Sequence, residues 1–488
     1  MSKLSGSVGV LASVGVRRLV LACLVALGLG LWAGGAAGGR TATATGNDWP
    51  RFGWSVWRSS APTFPTGITA ASVKSLARRQ VQLDGTVDSS AIYLHAAQVG
   101  GAAHDVFFVT TTYGKTEAID AASGALLWRF TPPGYESWAG SAQITTATPV
   151  ADPGRQWIYA ASPAGRIYKL SVADGHAAWS VAITLLPTRE KIAASLNYYQ
   201  GHVIATTGGY IGDAPPYQGH VAVIDAASGK LLHVWNSLCS NRTGLIVPST
   251  CPASDSAIWG RAGAVIDPAN GDILVATGNA PWDGKTNWGD SALRLSPDGT
   301  KLLGNFTPAN TAQLNAQDLD LGSTSPVLLS EGYLTQGGKD GKIRLLSVAR
   351  MRGTAAHQDG EIQVVSTPSG TDLFTAPAVW HQASATWMFA ADNGGTAAWR
   401  FRNGHLTQVW RNGTGGTSPV VAGGLLYVYS PGGGLNVYVP GTGKLVTTLE
   451  CGGGHWNSPI VVDGRIALPE GNANDHATTG VLDIWSKS

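Results

Sequence analysis

The stretch that decides the fold is EAIDAASGALLWRF, residues 117–130: an apolar run, a turn of Asp-Ala-Ala-Ser-Gly, and a second run ending at tryptophan. Close copies return as YKLSVADGHAAWSV, residues 168–181, and AVIDAASGKLLHVW, residues 222–235. Asp and Ser side chains bond nearby backbone amides, and glycine takes the positive φ that such turns need. Each copy therefore predicts a β-hairpin.

Seven such hairpins can be traced along the chain, at spacings of roughly 40 to 70 residues. Five have clear turns, at Asp120–Gly124, Ala173–Gly175, Asp225–Gly229, Pro297–Gly299 and Pro440–Gly443. Two degenerate copies lie at residues 343–353 and 397–410. A second pair of short strands precedes each hairpin, with no helical period between units. Four-stranded units repeated in this way predict an all-β fold, a β-propeller.

The ends of the chain indicate how the ring closes. Residues 458–486 contain three strands without a fourth, and ARRQVQLDG, residues 77–85, is a strand without a partner. Pairing the two would remove exposed sheet edges. We therefore predict eight blades over residues 78–488, with seven as the alternative count, preceded by an extension at residues 40–77. Four tryptophans at hairpin ends are expected to fill the wedges between sheets: Trp128, Trp179, Trp235 and Trp410.

Composition excludes one class of function. Of 488 residues 64 are glycine, only 13% are charged, and the formal net charge is +2. Nucleic-acid-binding proteins usually carry a basic stripe, and the body of this chain has none. We predict no nucleic-acid partner.

The N-terminus has the pattern of a targeting segment. Arg17 and Arg18 precede an apolar run at residues 19–39 that ends in small residues. This pattern predicts a signal peptide within residues 1–39. The alternative is an uncleaved membrane anchor, because the run is near the length that spans a bilayer. Either reading predicts an exported protein, whether secreted, periplasmic or on the cell surface.

Cysteine usage agrees with export. Cys239 and Cys251 flank the polar loop CSNRTGLIVPSTC, and a disulfide between them is expected in an oxidising compartment. Cys451 is left over and is expected to be a buried free thiol.

In a blade of this kind the first strand lines the axis, and residues just before it converge on a funnel. Trp259 and Arg261 in AIWGRAG, and Trp456 in HWN, hold such positions. Asn279 in ATGNAPW and Lys339 in GGKDGK lie at turns opening on the same face. An aromatic ring, cations and an amide facing one axis predict a site for a planar anionic ligand. The alternative is that these side chains only close a water-filled channel.

The repeat, the opening DWPRFG (residues 48–53) and the blade count resemble the pyrroloquinoline-quinone-type, quinoprotein alcohol dehydrogenase-like propeller superfamily over residues 47–488. The stretch AIWGRAGAVIDPANGDILVATGNAPWDGKTNWGD, residues 257–290, carries the resemblance furthest. By this resemblance Trp259 takes the quinone-stacking position, Asn279 a calcium-ligand position and Lys339 the position of a basic residue that contacts the quinone oxygens. It implies pyrroloquinoline quinone (PQQ) and calcium as possible cofactors. Asn279 alone cannot hold calcium, but Asp318 and Asp320 in AQDLDLG could add carboxylates near the axis, with a simple turn as the alternative for this motif.

The chain also departs from that pattern. It has no adjacent cysteines, and its third unit lacks the family's glutamate ligand, with only Asp213 nearby. The general base of the family is expected near ALRLSPDG, residues 292–299, where Ser296 stands. Asp290 or Asp298 would have to replace it.

These departures favour a non-enzymatic exported scaffold that binds a small molecule or an unidentified protein partner through the funnel face. The alternative is a PQQ-dependent alcohol or sugar dehydrogenase with a non-standard site. Catalytic residues are not assigned from the sequence.

Overall fold

The computed structural model describes residues 47–330 and 332–487, and its strands form eight antiparallel sheets of four strands each. The predicted signal peptide or anchor, residues 1–39, lies outside the described residues. None of the described helices has the length and apolar character needed to cross a bilayer. The eight four-stranded sheets confirm the predicted all-β, eight-bladed propeller, and the alternative of seven blades is wrong.

Each blade takes four strands in chain order, except the last. The isolated first strand is β1 (Ala77–Leu83). The first three blades comprise β2 (Ile92–Val99), β3 (Ala102–Thr110), β4 (Thr116–Asp120) and β5 (Leu126–Phe130); β6 (Val150–Ala151), β7 (Trp157–Ser162), β8 (Arg166–Ser171) and β9 (Ala177–Ala182); and β10 (Asn197–Tyr199), β11 (His202–Thr206), β12 (His220–Asp225) and β13 (Leu231–Asn236).

The next four blades follow the same plan. They comprise β14 (Val265–Ile266), β15 (Ile273–Ala276), β16 (Ala292–Leu295) and β17 (Leu302–Phe306); β18 (Val327–Ser330), β19 (Tyr333–Gly337), β20 (Lys342–Ser347) and β21 (Gln363–Ser366); β22 (Ala378–Gln382), β23 (Ala385–Ala391), β24 (Thr396–Arg402) and β25 (His405–Asn412); and β26 (Val420–Ala422), β27 (Leu425–Tyr429), β28 (Leu435–Tyr438) and β29 (Leu445–Leu449).

The eighth blade closes the ring. It consists of β30 (Ile460–Val462), β31 (Arg465–Glu470), β32 (Gly480–Ser486) and the early strand β1. Strand β1 pairs antiparallel with β32, from Ala77 opposite Ser486 to Leu83 opposite Gly480. Arg78 reinforces the seam, with its guanidinium 2.8 Å from both Glu470 and Asp483. The predicted pairing of the chain ends is confirmed.

Short helices occupy some of the connections. The described residues contain the α-helix α1 (Thr311–Ala316) and 3₁₀ helices at Ser72–Ser75, Tyr135–Ser137, Pro248–Thr250, Leu321–Ser323 and Ala473–Asp475.

The hairpin phrase works as its turn chemistry predicts. Asp120 Oδ1 accepts the Ser123 amide at 2.7 Å, and Gly124 has a φ of 76°. The tryptophans then lock one blade to the next. A Cβ added at Gly175 would lie 2.5 Å from the Trp128 ring, so the ring packs flat on the next turn.

Two other tryptophans repeat this packing. Trp179 covers Gly229 and Trp410 covers Gly443 in the following blade. Trp235 is buried with apolar residues of the fourth blade instead. Glycine at these turns thus serves the contact between blades as well as the turn itself.

The inner and outer strands differ in burial, which locates the axis. Inner strands β6, β14, β26 and β30 are buried along their whole length. Outer strands β1 and β25 expose most of their residues. The inner strands therefore face one another around the axis.

A segment before the ring, residues 49–60, crosses one end of the inner strands, and we call it the crossing segment. Its carbonyl oxygens accept amides from inner strands of several blades: Pro50 from Ala151 at 2.8 Å, Val56 from Ile266 at 3.1 Å, Ser59 from Val379 at 2.8 Å and Ser60 from Val421 at 2.9 Å. Sequence reasoning assigned this part of the extension no role.

The cysteines are arranged as expected, with one difference. Cys239 and Cys251 form the predicted disulfide, with their Cα atoms 6.1 Å apart. Cys451 is a free thiol, as predicted, but it is only partly buried.

Candidate functional site

A cavity of about 360 Å³ lies at the end of the axis where the inner strands begin. Its wall combines residues that precede inner strands with residues of turns between second and third strands. The first group comprises Asp88, Thr146, Lys191, Ala193, Ala257, Trp259, Arg261, Phe374, His455 and Trp456, and the second comprises Gly209–Asp213, Tyr217, Asn279, Lys339, Ala473 and Asn474. Asp318 and Asp320, which precede β18, complete it.

The structure brings every predicted ligand-binding residue to this cavity. Trp259, Arg261, Asn279, Lys339 and Trp456 all line it. The predicted metal residue Asp320 lies there too. What each of them binds stays a prediction, since the structure contains no ligand.

An aromatic row forms one wall. The Trp259 and Phe374 ring centroids are 5.9 Å apart, those of Phe374 and Trp456 are 5.0 Å apart, and those of Trp456 and His455 are 4.4 Å apart. Phe374 was not predicted, although it stands in the segment before the inner strand β22, where residues reach the axis. The row offers flat apolar surface to a planar ligand.

Arg261 is buried at this wall without using its hydrogen-bonding capacity. It is 7% exposed, and its Nε and Nη1 have no hydrogen-bond partner among the described residues. Its guanidinium carbon lies 4.9 Å from the Trp456 ring centroid. Burial lowers the pKa of Arg261 to about 10, although the negative charge of Asp88 acts to raise it. Buried donors without acceptors are costly, so this group is suited to an anionic ligand.

Lys191 adds a second positive group to the same cavity. Burial and the nearby Arg261 charge lower the pKa of Lys191 to about 7, while Asp88 opposes the shift. The ammonium group therefore loses its proton easily, and a bound anion would stabilise its charged form. The sequence did not reveal Lys191, because the segment KIAASLNYY before β10 lacks the Ser/Thr-Pro pattern of the other units.

The opposite side of the cavity is acidic and internally neutralised. Lys339 Nζ lies 2.6 Å from Asp320 Oδ2 and 2.9 Å from Asp318 Oδ1. Asp320 Oδ1 accepts the Asn279 amide at 2.6 Å. Burial raises the pKa of Asp320, although the nearby Lys339 charge acts to lower it. Burial acts to lower the pKa of Lys339, but the two carboxylates raise it. The carboxylates therefore favour the charged form of Lys339, while burial disfavours the charged form of Asp320.

This arrangement bears on calcium. Calcium takes six to eight oxygen ligands, with carboxylates among them. Here the carboxylates of Asp318 and Asp320 are bonded to the Lys339 ammonium, which stands where a cation would need to bind. The residues as arranged do not fit calcium, and metal binding by Asn279 and Asp320 stays a prediction.

The expected positions for a catalytic base are not on the cavity. Ser296, which stands where the family's base is expected, and Asp298 bond one another in the outer turn between β16 and β17, and neither lines the cavity. Asp290 is fully buried, where it accepts the Leu321 amide at 2.9 Å, and burial raises its pKa to about 8. Asp213 does line the cavity, and the Tyr217 hydroxyl donates to it at 2.7 Å.

Asp88 and His455 form a second group that the sequence did not assign. Asp88 Oδ2 lies 2.7 Å from His455 Nδ1, and both residues line the cavity. His455 stood next to a predicted ligand residue in the sequence, but its carboxylate partner is 367 positions away. Only ring closure brings the two together.

Comparisons with known proteins agree with this architecture. The family model described as outer membrane protein assembly factor BamB matches residues 50–248. Polyvinylalcohol dehydrogenase of Sphingopyxis sp. (strain 113P3) is 22% identical over 449 residues, covering 78% of this chain and 67% of that protein. The dehydrogenase subunit of the quinone alcohol dehydrogenase of Acetobacter aceti is 24% identical over 207 residues, covering 37% of this chain.

The Acetobacter match spans only 27% of that subunit's length. Among solved structures, quinohemoprotein alcohol dehydrogenase from Comamonas testosteroni superposes with a TM-score of 0.66 at 15% identity, covering 90% of this chain and 81% of that one. A sequence identity of 15% supports a shared fold and nothing more. The repeat, the closed ring and these matches together show that the chain is similar to pyrroloquinoline-quinone-type β-propellers.

Proposed function

We propose that the protein is an oxidoreductase that binds a planar, polyanionic aromatic quinone of the PQQ type in the axial cavity and oxidises alcohols with it. The observation that carries this proposal is Arg261, a buried guanidinium with unused donors in a cavity walled by aromatic rings. The names of the curated relatives, which are quinone and polyvinylalcohol dehydrogenases, support the reaction class.

The cavity residues divide the work of holding such a ligand. The Trp259 ring would provide the stacking surface, and Lys339, whose Nζ lies 5.6 Å from the ring centroid, could contact the quinone oxygens. Arg261 and Lys191 would receive carboxylates. A cavity of about 360 Å³ falls in the range of roughly 300–1,000 Å³ that small-ligand sites occupy. The residues present therefore fit the quinone, although they do not fit calcium.

The chemistry of the reaction is divided between ligand and protein. When bound, the quinone supplies the two-electron acceptor for alcohol oxidation. The protein would orient the ring on Trp259 and shield it with the aromatic row, and Lys339 would stabilise negative charge on the quinone oxygens.

The test is to add pyrroloquinoline quinone to the purified protein, with and without calcium, and record the visible spectrum and dye-linked oxidation of alcohols. We expect a bound chromophore with turnover. Trp259→Ala should lose quinone binding and keep the fold, whereas Trp387→Ala, on the second strand of the sixth blade, should retain binding. Wild-type protein that stays colourless at saturating quinone would refute the proposal.

A second candidate is the non-enzymatic scaffold that the sequence favoured. It draws support from the Lys339 pairing with Asp318 and Asp320, which replaces a metal by an internal cation, and from the description of the matching family model. Ile211, 79% exposed on a loop at the cavity mouth, offers apolar surface to a protein partner. Capture of a partner that Ile211→Asp abolishes, without any quinone binding, would favour this function.

Export remains part of the proposal. The basic and apolar pattern of residues 17–39 supports a signal peptide or an anchor. N-terminal sequencing of the protein recovered from cells distinguishes cleavage near residue 39 from retention of the segment, and recovery from the cytoplasm with the disulfide reduced would contradict export.

A further inference from the structure

The buried carboxylate of Asp88 has all of its bonds directed at one side of the cavity. Asp88 is 1% exposed and stands before the inner strand of the first blade. Its Oδ2 lies 2.7 Å from His455 Nδ1 and accepts the Ala473 amide at 3.1 Å, while its Oδ1 accepts the Trp456 amide at 2.8 Å. Burial would raise the pKa of Asp88, but the bond to His455, the Arg261 charge and the Trp456 amide lower it. The group is therefore a carboxylate.

An ionised carboxylate fixes the tautomer of its imidazole partner. Because Asp88 can only accept at this distance, His455 Nδ1 carries a hydrogen, and Nε2 of the neutral ring is left as a proton acceptor. The His455 side chain is 27% exposed and lines the cavity. Its lone pair is thus accessible to a ligand there.

The backbone under His455 is held in place. Its amide donates to Asn457 Oδ1 at 2.8 Å, and Asn457 Nδ2 donates to the Val87 carbonyl, next to Asp88, at 2.6 Å. Asn457 is fully buried. The imidazole is therefore positioned from both its ring and its backbone, as a proton-transfer group requires.

The carboxylates on the rest of the cavity wall are already engaged. Asp318 and Asp320 are paired with Lys339, and Asp213 accepts the Tyr217 hydroxyl. Protonation of Asp318 or Asp320 would weaken its ion pair with Lys339, whereas Asp213 is bonded through Oδ1 alone. His455 Nε2 has no such competing bond among the described residues.

We infer that His455 is the general base that takes the hydroxyl proton of the alcohol, and that Asp88 is its positioning residue. This inference rests on the proposed function. The O–H bond of the alcohol breaks and an N–H bond forms at Nε2; the carbinol hydrogen leaves with two electrons to the quinone, and a carbonyl product forms. The imidazolium is stabilised by the Asp88 carboxylate until it releases the proton to solvent.

The first test needs no quinone. In two-bond ¹H–¹⁵N spectra of protein labelled at histidine, above the titration range of the rings, His455 should appear as the Nδ1–H tautomer. Asp88→Asn should convert it to the Nε2–H tautomer, because an amide can donate to Nδ1. A wild-type His455 that carries its hydrogen on Nε2 would overturn the inference, whatever the protein binds.

The second test uses the quinone-loaded protein. His455→Gln should lower kcat for alcohol oxidation at least about 100-fold, with KM and quinone affinity changed less than about twofold. Asp88→Asn should lower kcat at least about tenfold with KM unchanged, because the wrong tautomer points at the substrate. His176→Gln, exposed in an outer hairpin turn, is the matched control and should match the wild type.

The two tests separate the failures. A wild-type protein that never binds quinone refutes the proposed function, and with it the base role. A protein that binds quinone and turns over equally well as His455→Gln refutes the base role alone.

Discussion

The two ends of the propeller axis both bury arginine, but in opposite ways. At the crossing segment Arg58 is 3% exposed, and its terminal nitrogens donate to the carbonyls of Phe52 at 2.8 Å and Leu196 at 2.9 Å. At the cavity Arg261 is 7% exposed, and its Nε and Nη1 have no partner among the described residues. Burial alone therefore does not distinguish the two side chains.

What differs is where the acceptors come from. The crossing segment supplies its own carbonyl oxygens, so Arg58 is a structural cross-link between the segment and the third blade. On the cavity, the charge that acts on Arg261 is Asp88, whose oxygens are bonded to His455 and backbone amides. The contrast lies in the terminal nitrogens, since Nε of both arginines has no partner among the described residues. An unmet terminal donor at a concave surface indicates that a ligand completes it, whereas terminal nitrogens bonded to carbonyl oxygens, as in Arg58, indicate a structural role.

Removing the Arg58 cross-link at the crossing segment should have the largest effect on stability. Arg58→Met leaves buried carbonyls without their donor, at about 1–3 kcal/mol for each group, so we expect a loss of about 3–5 kcal/mol in stability. Urea unfolding followed by tryptophan fluorescence measures it. Arg402→Met, at an exposed position, is the control and should change stability by less than about 0.5 kcal/mol. Equal midpoints for both variants would show that the crossing segment is not held through Arg58.

The same substitution at Arg261, on the cavity, should change ligand binding instead. Arg261→Met removes a buried charge that lacks partners, so stability should stay equal or rise, while affinity for pyrroloquinoline quinone falls about 100-fold, or about 2.7 kcal/mol. Calorimetric titration beside the Arg402→Met control gives both quantities. A large loss of stability with unchanged affinity would reverse the assignment of the two arginines.

A smaller effect is expected from pH. Folding lowers the pKa of Lys191 to about 7, so the ammonium is present below that pH and lost above it. Affinity for an anionic ligand should therefore fall as pH rises from 6 to 8, by about tenfold at most, since one charge is lost. Arg261 and Asp88 face Lys191 and keep their charge over this range. Lys191→Met should bind weakly with a flat profile; the same slope in that variant would exclude Lys191 as the titrating group.

The smallest change is predicted on the acidic side of the cavity. Like Arg58, the charged groups there are bonded to groups of the protein itself. Lys339→Met frees Asp318 and Asp320, so affinity for a trivalent lanthanide ion should rise about fivefold. Terbium luminescence sensitised by tryptophan reports it, with Lys342→Met, exposed at the start of β20, as the control. If terbium binds wild-type protein as well as it binds Lys339→Met, the ammonium does not stand in for a metal.

Much of the ring could be predicted from local chemistry. The Asp, Ser and Gly of residues 120–124 specify a hairpin without help from the rest of the chain, and the unpaired strands at residues 77–83 and 480–486 made closure predictable. Residues before the inner strands were recognisable where a large side chain replaced a small one, as at Trp259. These features depend on short stretches of sequence.

The missed features depend on distant parts of the chain. Asp88 meets His455 only because the ring closes, and Lys191 stands in a unit with a degenerate pattern. The crossing segment bonds through backbone carbonyls, which leave no side-chain pattern to detect. Ser296 and Asp298 were misplaced because an alignment of motifs does not show whether a residue lies at the axis or at the rim.

The most direct measurement is a crystal structure of the protein with pyrroloquinoline quinone. We predict one quinone per chain, its ring against Trp259 and a carboxylate on the Arg261 guanidinium. Electron density for the quinone elsewhere, or an empty cavity in which Arg261 has turned to bond the protein's own carbonyls, would contradict the account.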